Sequence, residues 1–452
     1  MDYSRIMIAA PKSGSGKTTI TCGILQALKD RGLRVCSFKC GPDYIDPMFH
    51  RNVIGISAGN LDTFFTDKDV TRWIFKDEYE GDIAVIEGVM GLYDGVGGIE
   101  PQGSSYDLAA TLDCPIILVV DAKGAGRSVL AEIKGFLDYD EKHLIKGVIL
   151  NRTSLAFANI LKPLIEKELN IKCLGAVANS DDVMLSSRHL GLVLPDEISD
   201  LQSQLKDIAN LISEGVDIDG IIKIAGEANG DFDQDNIPSD IADIINSQNV
   251  NTVRLAVARD EAFCFYYKEN LELLKRLGVE LIEFSPLNDT KLPENISGLL
   301  LGGGYPENYL EKLSNNTAMT AAIKGAIESG IPTLAECGGF MYLMEQIHNK
   351  DGKAYPMAGF FKGKAFWTGK LVRFGYVIIT SDELEIKGHE FHYFDTDDNG
   401  DDCMAKKPTG NRSFSCIHKE GMSHMGFTHL YYLSSPAFIK NFVEAMEKYG
   451  RN

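Results

Sequence analysis

Two short segments carry residue types whose spacing could do chemistry. The first, Ala10-Pro11-Lys12-Ser13-Gly14-Ser15-Gly16-Lys17-Thr18-Thr19, follows an apolar run and opens a helical pattern. Pro11 stands where the phosphate-loop pattern G-x-x-x-x-G-K-[ST] takes its first glycine, and the rest is intact. Gly14 and Gly16 let the backbone N–H groups from Ser13 to Thr19, with Ser15 between the glycines, curl around phosphate oxygens. Lys17 can then reach the β- and γ-phosphates of ATP, and the Thr18 hydroxyl can join Mg²⁺. Lys12 is a second cation, acting in cis, acting across a homodimer, or merely solvated; the sequence leaves the three open. A phosphate loop needs carboxylates for its metal, and Asp43 and Glu87, each following an apolar run, are the expected Mg²⁺ ligands, directly or through water. Asn151 closes the run Val148-Ile149-Leu150 and is placed either to meet a purine edge or to cap a strand.

The second segment, Pro332-Thr-Leu-Ala-Glu-Cys337-Gly338-Gly339-Phe340-Met341, passes from strand to helix at a cysteine. A thiol at such a turn is a nucleophile candidate, because a helix N-terminus favours the thiolate. Gly303 and Gly304, in Leu301-Gly302-Gly303-Gly304-Tyr305, form a glycine turn at another strand end; their N–H groups, with that of Gly338, could make an oxyanion hole. His429, in Gly426-Phe-Thr-His429-Leu-Tyr431, is the candidate acceptor of the thiol proton. The other eight cysteines, none in a C-x-x-C pair, read as small buried hydrophobes in a reducing compartment.

Both segments need strand ends to hold them. In the first half, apolar runs at 6–10, 33–38, 82–86, 115–121, 146–150 and 173–177 alternate with helical patterns at 18–31, 128–138 and 159–169. That predicts an α/β, doubly wound parallel sheet covered on both faces. A second α/β series begins at 253–258 and continues through 279–284, 298–301 and 332–334. Between them the text turns polar and acidic, giving a first domain over residues 1–225, an exposed acidic linker over 226–251 with a short helix at 241–245, and a second domain over 252–445. A chain of 452 residues suits two such cores. The formal net charge of −19 argues against nonspecific nucleic-acid binding and against anionic membranes. No apolar run reaches the ~18 residues of a membrane span, and with no leader-like N-terminus the expected location is the cytoplasm.

Several longer stretches resemble a known family. Gly303-Gly304-Tyr305-Pro306-Glu307, Ala335-Glu-Cys337-Gly-Gly, Gly388-His389-Glu390-Phe391-His392-Tyr393 and the surroundings of His429 resemble the class I glutaminase domain of corrinoid amidotransferases. Phe38-Lys-Cys-Gly-Pro-Asp-Tyr-Ile-Asp-Pro47, Asn60-Leu-Asp62, Arg188-His-Leu-Gly-Leu192 and residues 258–267 are similar to the cobyrinate a,c-diamide synthases in particular. The resemblance spans nearly the whole chain. It implies a dethiobiotin-synthetase-like ATPase domain with Thr18, Asp43 and Glu87 around Mg²⁺, and small-molecule substrates: ATP, glutamine and a cobyrinate-type corrinoid. It further implies Cys337 as nucleophile and His429 as its base. Lys39 would contact a phosphate or the activated carboxylate, and Asp46 and Asp94 would lie near the synthetase site. Ordinary class I triads place a Glu two residues after the His; here that position is Tyr431, which leaves a dyad or an orienting group from elsewhere. His389, Glu390 and His392 spell H-E-x-H, but a histidine spacing of three suits an open zinc site poorly, and a structural or substrate-facing role is expected. The resemblance leaves hydrogenobyrinate and nickel sirohydrochlorin open as alternative substrates. Lys12 alone would suggest a partitioning or switch ATPase, a reading that leaves Cys337 unexplained.

Overall fold

The computed structural model describes residues 3–178, 198–228, 232, 237–246 and 253–451; the segment 188–192 therefore lies outside the described residues. The chain divides into two compact units, Met1–Ile237 and Pro238–Asn452.

In the first unit β1 (Arg5–Ala9), β2 (Val35–Cys40), β3 (Ser57–Leu61), β4 (Ile83–Glu87), β5 (Ile116–Asp121), β6 (Ile145–Asn151) and β7 (Lys172–Val177) form one sheet in the order β3-β2-β4-β1-β5-β6-β7. Every pairing in it is parallel. Nearly all residues of β1, β2, β4 and β5 are buried, as strands covered on both faces must be. The chain turns to opposite sides of the sheet after β1 and after β4, and such a switch opens a crevice at the carboxyl ends of the strands. Helix α1 (Lys17–Asp30) leaves that crevice and packs against the helix Ile198–Gly215 at Gly23, where a Cβ would stand 2.6 Å from Ile212 Cγ1. Any side chain there would lever the phosphate loop's own helix off its support.

The sequence reading missed β3, whose Ser57, Gly59 and Asn60 are poor strand formers; it forms as the sheet's edge strand, paired to β2 alone. The exposed linker needs correcting as well. Phe232 is 1% exposed, lies among Tyr3 and Phe75, and receives the guanidinium groups of Arg5 and Arg72 on its ring at 4.6 and 4.2 Å. Phe232 is thus fixed to the first unit by ring and cation contacts. The short helix runs Ser239–Asn246 and belongs to the second unit, with Ile241 fully buried.

The second unit has a parallel core of β8 (Val253–Ala258), β9 (Val279–Phe284), β10 (Gly298–Leu301) and β11 (Thr333–Glu336), extended by Ser423–Gly426. Strand His418–Glu420 pairs antiparallel at its edge. Two smaller sheets follow β11, one of them fully antiparallel and built on Arg373–Ser381 and Leu384–His392. These sheets bring the C-terminal strand His429–Leu430 back toward β11. No helix among the described residues is long and apolar enough to cross a membrane.

Candidate active site

Two clusters of reactive side chains stand at carboxyl ends of parallel strands, one in each unit. In the first, the loop after β1 bends through Gly14 (φ 77°) and Gly16 (φ 90°), left-handed conformations that suit glycine. Gly16 also has no room for a side chain: a Cβ would stand 2.2 Å from Asn151 Nδ2. Asn151, expected at a purine edge or a strand cap, donates to the Ser15 carbonyl at 2.8 Å and braces the loop from beneath. Lys12 and Ser13 are exposed, and the Lys12 carbonyl accepts from Ser15 Oγ at 2.9 Å.

Lys17 Nζ donates to the carbonyl of Met90 at 2.5 Å, and Thr18 Oγ1 donates to Glu87 Oε1 at 2.6 Å. Lys39, at the end of β2, was expected to reach a phosphate or substrate carboxylate. It lies buried among carboxylates: ion-paired to Asp46, 2.9 Å from Glu87 Oε1 and 3.9 Å from Asp43 Oδ2. Burial works against its charge, but Asp46, Glu87 and Asp43 outweigh that and hold its pKa well above the ordinary lysine value. Burial and then Asp46 push Glu87 up to about 7, and the same two causes push Asp43 up to about 6. Lys17 is pushed down to about 8, first by burial and then by Lys39. Lys17 is thus held below, and Glu87 above, its ordinary range; an arriving polyanion would restore charge on the first and a divalent cation on the second. Asp94 Oδ2 accepts from the Gly91 N–H at 3.0 Å, and a Cβ on Gly91 would stand 2.6 Å from the Pro11 carbonyl, so this carboxylate shapes the loop that abuts the phosphate loop.

The donors fit Mg²⁺. Glu87 Oε2 is buried and makes no hydrogen bond among the described residues. With the Thr18 hydroxyl and Asp43 it offers the hard oxygen donors that this ion takes while keeping several waters. His50, which the sequence reading passed over, lies behind: Nε2 is 3.8 Å from Glu87 Oε2, and Nδ1 shares a hydrogen bond with Ser37 Oγ at 2.9 Å. Nothing in its local sequence marks it out.

In the second unit Cys337 sits between β11 and the helix Gly338–Leu343 with φ 48° and ψ −103°, a strained conformation for a residue bearing a Cβ. Its N–H donates to the Gly426 carbonyl at 2.8 Å. The turn around it admits only glycine. A Cβ on Gly339 would meet the Leu301 carbonyl at 2.1 Å, and one on Gly338 would meet Pro306 Cδ at 2.8 Å and Gly304 N at 3.3 Å. The amides of Gly304 and Gly338 are therefore neighbours beside the thiol. The Gly302 N–H is taken by the Tyr266 hydroxyl at 2.8 Å, and the Gly303 carbonyl accepts from Cys264 and Phe265. Gly303 also lets the ring of His429 approach, for a Cβ there would stand 2.3 Å from Cε1.

His429 has a carboxylate that the sequence reading did not find. Glu336 Oε2 is 3.5 Å from His429 Nδ1, and Glu336 Oε1 accepts from the Leu430 N–H at 3.3 Å. The orienting group thus comes from the residue just before the nucleophile. Tyr431, in the position where the triad Glu was sought, is buried edge-on against Tyr267. Burial alone would lower the His429 pKa, but the Cys337 thiol and the Glu336 carboxylate outweigh it and push it up to about 10. At neutral pH the proton therefore rests on the imidazole. His389 and His392 lie on opposite faces of one strand: His389 stacks on His429, while His392 stacks on Phe427 at 4.0 Å. They do not converge on a metal.

Known proteins match this chain in both halves. Residues 6–193 match the CobQ/CobB/MinD/ParA nucleotide binding domain, and residues 254–435 match the CobB/CobQ-like glutamine amidotransferase domain. A protein of Picrophilus torridus named cobyrinate a,c-diamide synthase is 39% identical, over 98% of this chain and 99% of that one. One of the same name from Clostridium acetobutylicum is 40% identical over 97% of this chain and 99% of its own. A third, from Thermoplasma volcanium, is 38% identical over the full length of this chain and 99% of its own.

Proposed function

The chain belongs to the cobyrinate a,c-diamide synthase family of amidating enzymes, and from that premise we propose that it uses ATP and glutamine to convert the a and c carboxylates of cobyrinate to amides. The observation that carries this reading is the pairing, in one chain, of a phosphate-loop cluster with a cysteine–histidine–glutamate cluster. In the second unit the Cys337 thiolate attacks the carboxamide carbon of glutamine. The Gly304 and Gly338 amides receive the developing oxyanion, and His429 passes its proton to the leaving ammonia. Water, deprotonated by the same imidazole, then hydrolyses the thioester to glutamate and restores the thiol.

In the first unit the loop from Lys12 to Thr19 holds the triphosphate, and Lys17 leaves the Met90 carbonyl to neutralise the transferring phosphoryl group. The substrate carboxylate attacks the γ-phosphorus, ADP leaves, and ammonia displaces phosphate from the acyl phosphate to give the amide. Thr18, Glu87 and Asp43 would hold Mg²⁺, which supplies further charge neutralisation at the phosphates. Lys39, with Asp46, keeps Glu87 in place, and Asp94 fixes the loop beside the phosphates. The nine cysteines are all free thiols, which supports a cytoplasmic location.

Mass spectrometry after incubation with ATP, Mg²⁺ and glutamine tests the substrate. Cobyrinate should lose about one mass unit twice, once per carboxyl-to-amide exchange. Reaction only on hydrogenobyrinate or nickel sirohydrochlorin would reject cobyrinate and keep the mechanism; glutamine-independent ATP turnover without amidation would reject both.

A further inference from the structure

The chemistry above leaves one neighbour of His429 unused. His389 lies directly opposite His429 in the antiparallel ladder, and their rings stack with centroids 5.0 Å apart and planes 21° from parallel. Gly388 permits the approach, since a Cβ there would stand 2.4 Å from the His429 carbonyl oxygen. His389 is itself anchored: the Tyr267 hydroxyl shares a hydrogen bond with its Nδ1 at 3.0 Å, with both side chains buried. Tyr267 also packs edge-on against Tyr431, at 5.1 Å and 80°. The layer Tyr267–His389–His429 therefore rests on residues from three separate stretches of chain.

An imidazole needs such a layer because its outer torsion is broad and roughly two-fold, so contacts at the ring edge do not fix the ring plane. Glu336 Oε2, 3.5 Å from Nδ1, and the Cys337 thiol both meet the ring at its edge. Gly303 crowds only the Cε1 edge. A flat neighbour across the ring face supplies what those contacts lack. We propose that His389, held by Tyr267, is a positioning residue that sets the plane of the His429 ring for proton exchange with Cys337. The inference rests on the preceding reading only in taking Cys337 as the nucleophile. Among the described residues, the titratable groups shown to act on His429 are Cys337, Glu336 and His389. Burial, followed by His429 and Lys407, holds His389 well below the ordinary imidazole range, so it stacks as a neutral ring and adds no positive charge beside the imidazolium.

The test uses the full chain and three variants. Glutamine hydrolysis gives kcat and KM. Alkylation of Cys337 by iodoacetamide between about pH 5 and 10, read on the Cys337 peptide by mass spectrometry, gives the thiolate profile without glutamine or corrinoid. His389→Ala should lower kcat about 10- to 100-fold with KM within about two-fold, and should move the Cys337 alkylation profile to higher pH. His389→Phe, which keeps a flat ring, should recover kcat to within about three-fold of the parent, and Tyr267→Phe should fall between them. Amidation supported by added ammonium should stay within about two-fold throughout, reporting an intact first unit. An unchanged kcat and alkylation profile in both His389→Ala and Tyr267→Phe would overturn the proposal. A His389→Phe variant as damaged as His389→Ala would overturn it too, by showing that ring planarity is not what His389 supplies. If His389→Ala does not fold, Tyr267→Phe decides alone. A parent that hydrolyses no glutamine would sink the assigned function, while the alkylation profiles would still judge the layer.

Discussion

The phosphate-loop cluster and the thiol cluster solve the same problem, holding reactive groups ready, by opposite means. The first is organised by charge: Lys39 is buried among three carboxylates, and Glu87, Asp43 and Lys17 all sit away from their ordinary pKa values. The second carries one loose ion pair and is organised by shape: glycines that admit no Cβ, stacked rings and a strained turn. Each has a non-glycine residue at positive φ, Met90 at 46° and Cys337 at 48°. Met90 offers its carbonyl to Lys17, whereas Cys337 sets its thiol against His429. Under the proposed chemistry the difference follows the cargo. A migrating phosphoryl group carries charge that must be met by fixed charge, while a proton moving between sulfur and nitrogen depends on distance and ring plane.

If the two clusters are chemically separable, their knockouts must differ in kind. Cys337→Ala should lower glutamine-supported amidation about 10³-fold or more and leave ammonium-supported amidation near the parent level. Lys17→Ala should lower both by about 10³-fold. A Cys337→Ala enzyme inactive with ammonium would end the comparison. A smaller effect sharpens the account of the thiol cluster. Glu336→Gln keeps the shape and removes the charge, so the imidazolium is less favoured. We expect glutamine-supported kcat to fall about 10- to 100-fold, with slower Cys337 alkylation at neutral pH; no change would mean that shape alone suffices there.

The smallest effect concerns stability. His424 bonds Ser381 Oγ at 2.8 Å, and burial pushes its pKa down to about 4. Its ordinary value is about 6.5, so between those limits the unfolded chain binds more protons than the folded one. Stability should therefore be full above about pH 6.5 and decline toward about pH 4, by at most about 3 kcal/mol from this group. Thermal melts across that range should show a shallower decline for His424→Gln. An equal slope in parent and variant would locate the acid sensitivity elsewhere.

Much of this was legible in the sequence. Fully buried strands such as β1 and β4 announce themselves as apolar runs, and glycines at 16, 338 and 339 mark turns with no room for a side chain. The remainder depended on partners remote in the chain. β3 pairs through its backbone in spite of its side chains, and Phe232 gained its burial from two distant arginines. Nothing in the sequence around Lys39 shows the three carboxylates that close over it. Glu336 lies far from His429 in the chain and reaches its ring across the sheet, so no local spacing marks it.

That placement has a mechanical consequence. Glu336 and Cys337 are consecutive residues, so the proposed nucleophile and the counter-charge of its proposed base ride on one rigid peptide. Only His429 comes from elsewhere, and the assembly has a single joint where separately mounted groups would have two. Any breathing of the C-terminal strand must then loosen both contacts together and any closure restore both, which makes the thiol's readiness an all-or-none property of one strand's position.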